Sequence, residues 1–452
     1  MLSKQIIISF SSTLIIGFTG FLTIPFLTRM LTPDEVGKIF LILALVGFMQ
    51  VFDGFRPVIT FVLNEKKYDE SLLLKVINKI NILYIVGMVV FIFFSVIFFT
   101  NVTLLEISLY VTIFIFYSLM SVLWGILDTK NHINYTSILR SLGWVLTYSM
   151  FVVFAYFHVS IEFYLVPLML MNILLFIFFK IKVHSLPKEK RIYINQEEYI
   201  SLFRSILMQI IDNVKIQISA TVLLSMDKVI IPYLLGYTQF AFYAVQSELA
   251  TKTYLINSTW KRVLFPYLAK IENRNKLGKF LVYAHYSFLI SFIFVLTIGI
   301  YGSEIISFYA GEAYKDYGKV FSILLLVFPL NILGTMGVLI LQIHGDFKLH
   351  HKIYRNSAIV NLIVFTVLTY FFGILGAAIG ILISRTTDLF LYLVTLQKYV
   401  VNISITKIIL TIGCYFSIVL SIIASKLFFS FLFLGILAIF LFFLNIKKKI
   451  YE

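Results

Sequence analysis

Long unbroken apolar runs constrain this chain more than any other feature. Most have the length, about 20 residues or slightly more, that an α-helix needs to cross a hydrocarbon core. They lack the ten-residue alternation of a membrane barrel strand. Of the 452 residues, 60% are hydrophobic and only 13% charged. A soluble domain carries about 25% charged residues and has no core large enough for so much apolar surface. The chain therefore reads as an all-α, polytopic membrane protein.

Spans are expected near 6–30, 37–63, 76–99, 104–127, 138–157 and 160–180. After a basic stretch they continue near 205–234, 240–267, 280–301, 320–343, 353–372 and 374–396, with a last pair near 405–425 and 427–445. That is about 14 transmembrane helices. The first run, Ile6 to Met30, is too long for the core of a signal peptide and lacks a small-residue cleavage site. It reads as a retained span. Short connections make sequential helices antiparallel neighbours.

Charge sets the orientation. With the N-terminus placed in the cytoplasm, the even-numbered connections and both termini collect most of the 37 lysines and arginines. Lys66, Lys67, Lys182, Lys188, Lys190, Arg191, Arg274, Lys276, Lys348 and Lys447 are among them. The opposite side holds only Arg29, Lys38, Lys315, Lys319 and Lys426. This positive-inside asymmetry predicts cytoplasmic termini. It also accounts for the formal charge of +15 without a nucleic-acid partner.

An internal repeat organises the spans. Arg29–Phe40 aligns with Tyr233–Ala244, Asp53 with Asn257, and Ser137–Arg140 with Lys352–Arg355. Each half holds six spans, an even number, so the halves insert with one orientation as parallel pseudo-repeats. The expected organisation is a six-helix bundle over 1–181, a basic linker over 182–204, a second six-helix bundle over 205–400, and an additional helix pair with a basic tail over 401–452.

Charges inside apolar runs are the candidate site. A charge at bilayer depth costs about 2.5 to 3.5 kcal/mol on insertion scales and normally faces a partner or a water-filled cavity. The stretch Leu202 to Pro266 reads as two helices joined at Gly236–Gln239, and charges run through both. At helical spacing Asp212, Lys215 and Ser219 share one side of the first, as do Glu248, Lys252, Thr259 and Arg262 of the second. Gln50, Asp53, Arg56 and Thr60 form a stripe on the second span, and Ser384, Arg385 and Asp388 one on the twelfth. The intramembrane cations Arg29, Arg56, Lys215, Lys228, Lys252, Lys261, Arg262 and Arg385 outnumber the acids Asp53, Asp212, Asp227, Glu248 and Asp388. The surplus predicts an anionic ligand, with arginine offering a planar donor fork to a phosphate and lysine a point charge. Structural ion pairs between packed helices are the competing reading. The acids have two readings of their own: holding neighbouring cations, as Asp212 with Lys215 and Glu248 with Lys252, or carrying a coupling proton.

No catalytic constellation is present in the sequence, so an enzyme is not expected. No Walker loop or nucleophile elbow occurs, and no histidine has a metal-ligand partner at fixed spacing. The run His344–His351 could bind a metal, but it reads first as a solvated loop. Neither a metal nor a cofactor is called for, and the single cysteine, Cys414, rules out an intramolecular disulfide.

The segment Gly17–Gly37, with its echo at Met226–Gly236, resembles the polysaccharide flippases of the MATE-like MOP superfamily, the Wzx-type O-antigen and capsule exporters. The resemblance covers residues 1 to about 400. It implies a MATE-like pair of six-helix bundles around a cationic lumen in the bacterial inner membrane. It further implies that a polyprenyl-diphosphate-linked oligosaccharide passes from the cytoplasmic to the outer leaflet by alternating access. Partners would be that lipid-linked substrate, the lipid bilayer, and a polysaccharide polymerase with other assembly proteins. Lipid II flippases, which are relatives, are similar in placing arginines on the first, second and eighth spans. Arg29, Arg56 and Lys252 occupy those spans here, with lysine in the third case. A multidrug exporter of the same fold is the alternative, and it would favour an acidic or aromatic cavity. A non-transport scaffold, the third class, has no need of buried cations on several spans.

Overall fold

A computed structural model describes residues 2–51, 58–59, 75–87, 89, 103–186, 196–253, 287–288, 290–343 and 347–396. These residues are almost entirely helical. They divide into two compact units, Met1–Ala241 and Phe242–Glu452. The division falls beyond the basic stretch 182–204 that was expected to separate the bundles. The helix after that stretch packs into the first unit, where its Leu202, Ile206 and Ile210 join one core with Ile77, Ile80, Val122 and Ile126.

The first unit contains α1 (Leu2–Met30), α2 (Pro33–Val51), a helical stretch over 75–87, α3 (Leu104–Thr129) and α4 (Ile133–Tyr156). A 3-10 turn (Ile161–Tyr164) then leads into α5 (Leu165–His184), followed by α6 (Gln196–Ser225). Helix α1 lies along α4 and α3 along α5, while α2 touches α3 and α6. Two helix starts follow from sequence alone. At Thr32 and Thr103 the backbone N–H donates to the carboxylate three residues on, Glu35 and Glu106, at 2.9 Å in both cases. The threonine hydroxyl accepts the return bond from the glutamate N–H. These capping boxes use donors that would otherwise be orphaned at a helix start. Pro33 adds a preset φ at the first helical position of α2.

Helix α7 (Asp227–Thr251) links the units. The expected join at Gly236–Gln239 is present as a kink, with Gly236 at φ 82° and ψ 171°. A second break, unforeseen, falls at Met226, between α6 and α7.

In the second unit, a helix over Ile290–Ile300 turns by 69° into α8 (Gly302–Ala310). A 3-10 turn (Glu312–Tyr317), α9 (Gly318–Leu325), α10 (Val327–Ile343) and α11 (Phe347–Leu396) follow. The stretch 302–318 is thus built of helical turns. Phe242 fixes it to α7, stacking on Tyr317 at 4.3 Å between centroids and meeting the Tyr314 edge at 5.1 Å.

Helix α11 is a hairpin. Gly373, at φ 61° and ψ −146°, folds the second arm back on the first. Gly376 lies against Leu368, Gly380 against Phe365, and Tyr392 against His350. As one partner advances the other retreats, which defines antiparallel arms. A Cβ on Gly376 would overlap the Leu368 carbonyl, and one on Gly380 would come within 2.9 Å of the Phe365 Cα. Small residues at these positions let the two backbones approach closely, as helices in lipid require. The break matches the expected boundary between spans 353–372 and 374–396.

Among the described residues, six helices are long and apolar enough to cross a membrane, or up to seven if the bent pair at Ile300–Gly302 counts as one span. Large apolar side chains cover their outer faces, such as Phe18 on α1 and Tyr370 and Phe371 on α11. The molecule is an all-helical, multi-pass membrane protein. The pair expected at 405–445 lies outside the described residues.

Candidate functional site

Arg29 ends α1. Its Nη1 donates to the Pro25 carbonyl at 3.0 Å, which the Thr28 hydroxyl also reaches at 3.3 Å. A cation in the last turn complements the negative end of the helix macrodipole.

Lys215 and Asp212 pair along α6 at 3.1 Å, with 64% and 69% of their side chains exposed. The pair lies near the middle of a 30-residue helix. Asp227 opens α7 and is buried, an acid in the first turn where the helix dipole favours it.

Lys252 and Glu248 pair at 3.2 Å near the end of α7, with about a quarter of each side chain exposed: 27% and 23%. Arg385 Nη1 lies 3.3 Å from Asp388 Oδ2 on the second arm of α11, and this pair is nearly closed off, at 11% and 12%. The two expected pairs, Asp212 with Lys215 and Glu248 with Lys252, are present, and Arg385 with Asp388 adds a third, in three degrees of burial. Asp53, Arg56, Thr259, Lys261 and Arg262 lie outside the described residues.

The structure adds polar residues that spacing along one helix does not disclose. Asn81 and Ser118, both buried, bind each other: the Ser118 hydroxyl donates to Asn81 Oδ1 at 2.5 Å, and Asn81 Nδ2 donates to the Ser118 carbonyl at 3.4 Å. His350 is not in a solvated loop. It sits on the first arm of α11, its Nδ1 3.0 Å from the Tyr392 hydroxyl and its ring 4.8 Å from that of Tyr354. The sequence signal for it was the histidine run, and the fold-back at Gly373 is what gives that run a partner. Outside the spans, His132 in the turn between α3 and α4 has its pKa held below the ordinary imidazole value, first by burial and then by the Lys182 charge.

A family model described as "Polysaccharide biosynthesis protein" matches residues 2–272. A putative O-antigen transporter from Shigella flexneri is 25% identical over 168 residues, covering 36% of this chain. The matched stretch spans only 40% of that relative's length. Among solved structures, the lipid II flippase MurJ in an inward closed conformation superimposes with a TM-score of 0.70 at 15% identity, covering 98% of this chain and 99% of MurJ. An inward-facing multidrug resistance MATE family transporter of the MOP superfamily gives 0.59 at 10% identity, covering 85% and 94%. At such identities the likeness is one of fold.

Proposed function

Because this chain belongs to the polysaccharide biosynthesis protein family, we propose that it is a flippase that carries a polyprenyl-diphosphate-linked oligosaccharide from the cytoplasmic to the outer leaflet. The observation that carries this reading is the open Asp212–Lys215 pair at the centre of a long helix. A diphosphate head and its sugars cannot cross hydrocarbon unaided, because their desolvation far exceeds thermal energy. In this reading the charged face of α6 lines the polar route, and the polyprenyl tail stays in lipid.

In this reading Arg29, Arg56, Lys215, Lys252, Arg262 and Arg385 bind the anionic head in turn as the protein alternates access. Asp212 and Glu248 hold their lysines in position until the phosphates replace them. In this reading the protein sits in the bacterial inner membrane, and the positive-inside charge bias supports cytoplasmic termini. There it would hand its cargo to a polysaccharide polymerase.

The test is surface glycan in a strain that lacks its own flippase, with membrane levels of each variant checked by blot. Arg56→Ala and Lys252→Ala should stop export while the protein still accumulates. Arg56→Lys should restore part of it, because charge remains while the planar fork is lost. Glu at either position should be worse than Ala, since a buried acid repels the phosphates. The likeness to MATE transporters favours a second reading, a small-molecule exporter. Full glycan export by both Ala variants would remove the cationic-lumen argument and bring that reading forward.

A further inference from the structure

Helices α4 and α5 run antiparallel. Gly143 meets Met171, and towards the start of α4 the Tyr135 hydroxyl donates to the Phe178 carbonyl at 3.3 Å. The other flank of α4 packs on α1 and that of α5 on α3. At helical spacing the sides left over fall together on one face of the pair. That face is apolar and open, with Leu142 and Leu146 exposed on α4 and Leu174, Ile177 and Ile181 exposed on α5. Such strips on neighbouring spanning helices suit acyl chains.

The face ends in cations, where α4 begins and α5 finishes. Lys180 and Lys182 flank Ile181, which is 62% exposed, and His184 follows on the last turn. Lys182 leans toward α4, its Nζ 5.9 Å from the centre of the Tyr135 ring. Lys180 leans toward α3, its Nζ 5.6 Å from the centre of the Phe176 ring, which meets Phe116 of α3 at 5.5 Å. Among the described residues neither lysine has a carboxylate partner. Asp128, the acid at the end of α3, accepts the Thr136 hydroxyl at 3.2 Å. The Lys182 charge is felt at His132, where it adds to burial in holding the imidazole pKa down.

A lysine at the end of a spanning helix commonly extends its ammonium into water. These two lie on aromatic rings on either side of an apolar strip. An exposed ammonium–ring contact is weak, about 0.5–1 kcal/mol, while a phosphate offers charge-assisted hydrogen bonds. The pair is thus preset for an anion at the level of Ile181. A free phosphate has no use for the strips. A ligand with one chain would cover one of them, and two strips match two chains.

We propose that the α4–α5 face binds a two-chain anionic phospholipid, its phosphate between Lys180 and Lys182 and its acyl chains along the Ile181 and Leu142 strips. Neither lysine is among the cations assigned to the cargo. The bound lipid is a resident of the first unit, joining the end of α5 to the start of α4.

Native mass spectrometry of the purified full-length protein reads this site. The probes are phosphatidylglycerol and phosphatidylcholine with the same acyl chains. Wild type should keep one phosphatidylglycerol under conditions that strip phosphatidylcholine. Lys180→Gln and Lys182→Gln should each weaken phosphatidylglycerol binding about five-fold, and the double variant about 25-fold, with phosphatidylcholine unaffected. Lys182→Arg should retain binding, because the charge remains. Neither lysine lies in the core, so the variants should melt with wild type. Lys352→Gln with Arg355→Gln removes two exposed cations near the start of α11 and should change nothing. An equal loss in that control would reduce the effect to general attraction by basic helix ends and overturn the site. Unchanged binding in the Lys180→Gln, Lys182→Gln double variant would overturn it too. Displacement of the lipid by inorganic phosphate would make this a simple anion site, and displacement by an equimolar polyprenyl diphosphate would assign the face to the cargo. Either result would overturn the phospholipid assignment. Glycan export enters none of these measurements, so failure here and failure of the flippase reading are separate results.

Discussion

Gly37 of α2 lies against the backbone of Tyr237 so closely that a Cβ at position 37 would overlap the Tyr237 carbonyl. Lys38, one residue on, places its ammonium 5.5 Å from the centre of the Tyr237 ring. Two turns that align in the internal repeat, 31–36 and 235–240, are thereby held together. Gly37→Ala should destabilise the protein by about 1–3 kcal/mol, the usual cost of overpacking a tight contact. A thermal melt of purified protein in detergent checks this. Lys38→Ala, which loses only an open cation–π contact and the half-exposed pair with Asp34 at 2.9 Å, should shift the melt much less.

The Asn81–Ser118 pair gives a sharper case. Ser118→Ala leaves the buried amide oxygen of Asn81 without its 2.5 Å donor and should cost about 1–3 kcal/mol. Replacing both, as Asn81→Leu with Ser118→Ala, removes the polar requirement along with the bond. The double variant should therefore be more stable than the sum of the single losses implies. A double-mutant cycle on thermal unfolding measures the coupling, and a strictly additive result would contradict the pair as drawn.

Two carboxylate–lysine pairs should behave differently. Asp212 and Lys215 are mostly exposed, and exposed pairs contribute about 0–1 kcal/mol. Asp212→Asn should therefore leave the melt nearly unchanged. Glu248→Gln leaves a three-quarters buried lysine beside a neutral amide, and its loss of stability should be clearly larger. Equal effects would contradict the difference in burial between the two pairs.

His132 supplies a pH dependence with a definite sign. Its folded-state pKa is lowered from 6.5, so between the two values the unfolded chain binds more protons than the folded one. Its contribution to stability is complete above pH 6.5 and is lost as pH falls toward the folded value. His132→Gln should flatten that part of the stability curve. Lys182→Gln should flatten it in part, because burial, the larger cause, remains. A steeper acid slope in either variant would contradict the assignment.

Much of the helical order was legible in the sequence because apolar length, turn residues and capping boxes are local signals. Gly373 stood at the expected border of two spans, while the second span, expected from 37, starts at Pro33. The i, i+4 spacing of Glu248 and Lys252 was enough to foresee their ion pair. The break at Met226 was not legible, since neither proline nor glycine marks it. Nor was the joining of His350 to Tyr392, 42 residues apart, which exists only once Gly373 has folded the hairpin. The division into compact units, between Ala241 and Phe242, was likewise not legible locally. A run of lysines looks like a linker, but the apolar stripe of Leu202, Ile206 and Ile210 decides which core α6 joins.

The fold-back at Gly373 also bears on how the protein is made. The first arm of α11 leaves the ribosome with Ser357 on a face that will be buried. The second arm, which packs on that face, brings Arg385 and Asp388, neither tolerable alone in hydrocarbon. Each arm is thus the other's solvent, and the two should pass from the translocon into lipid as one unit. A nascent chain halted between residues 374 and 385 would hold the first arm at the membrane waiting for its complement. At that stage the chain would be exposed to membrane proteases, and the yield of finished protein would be set there.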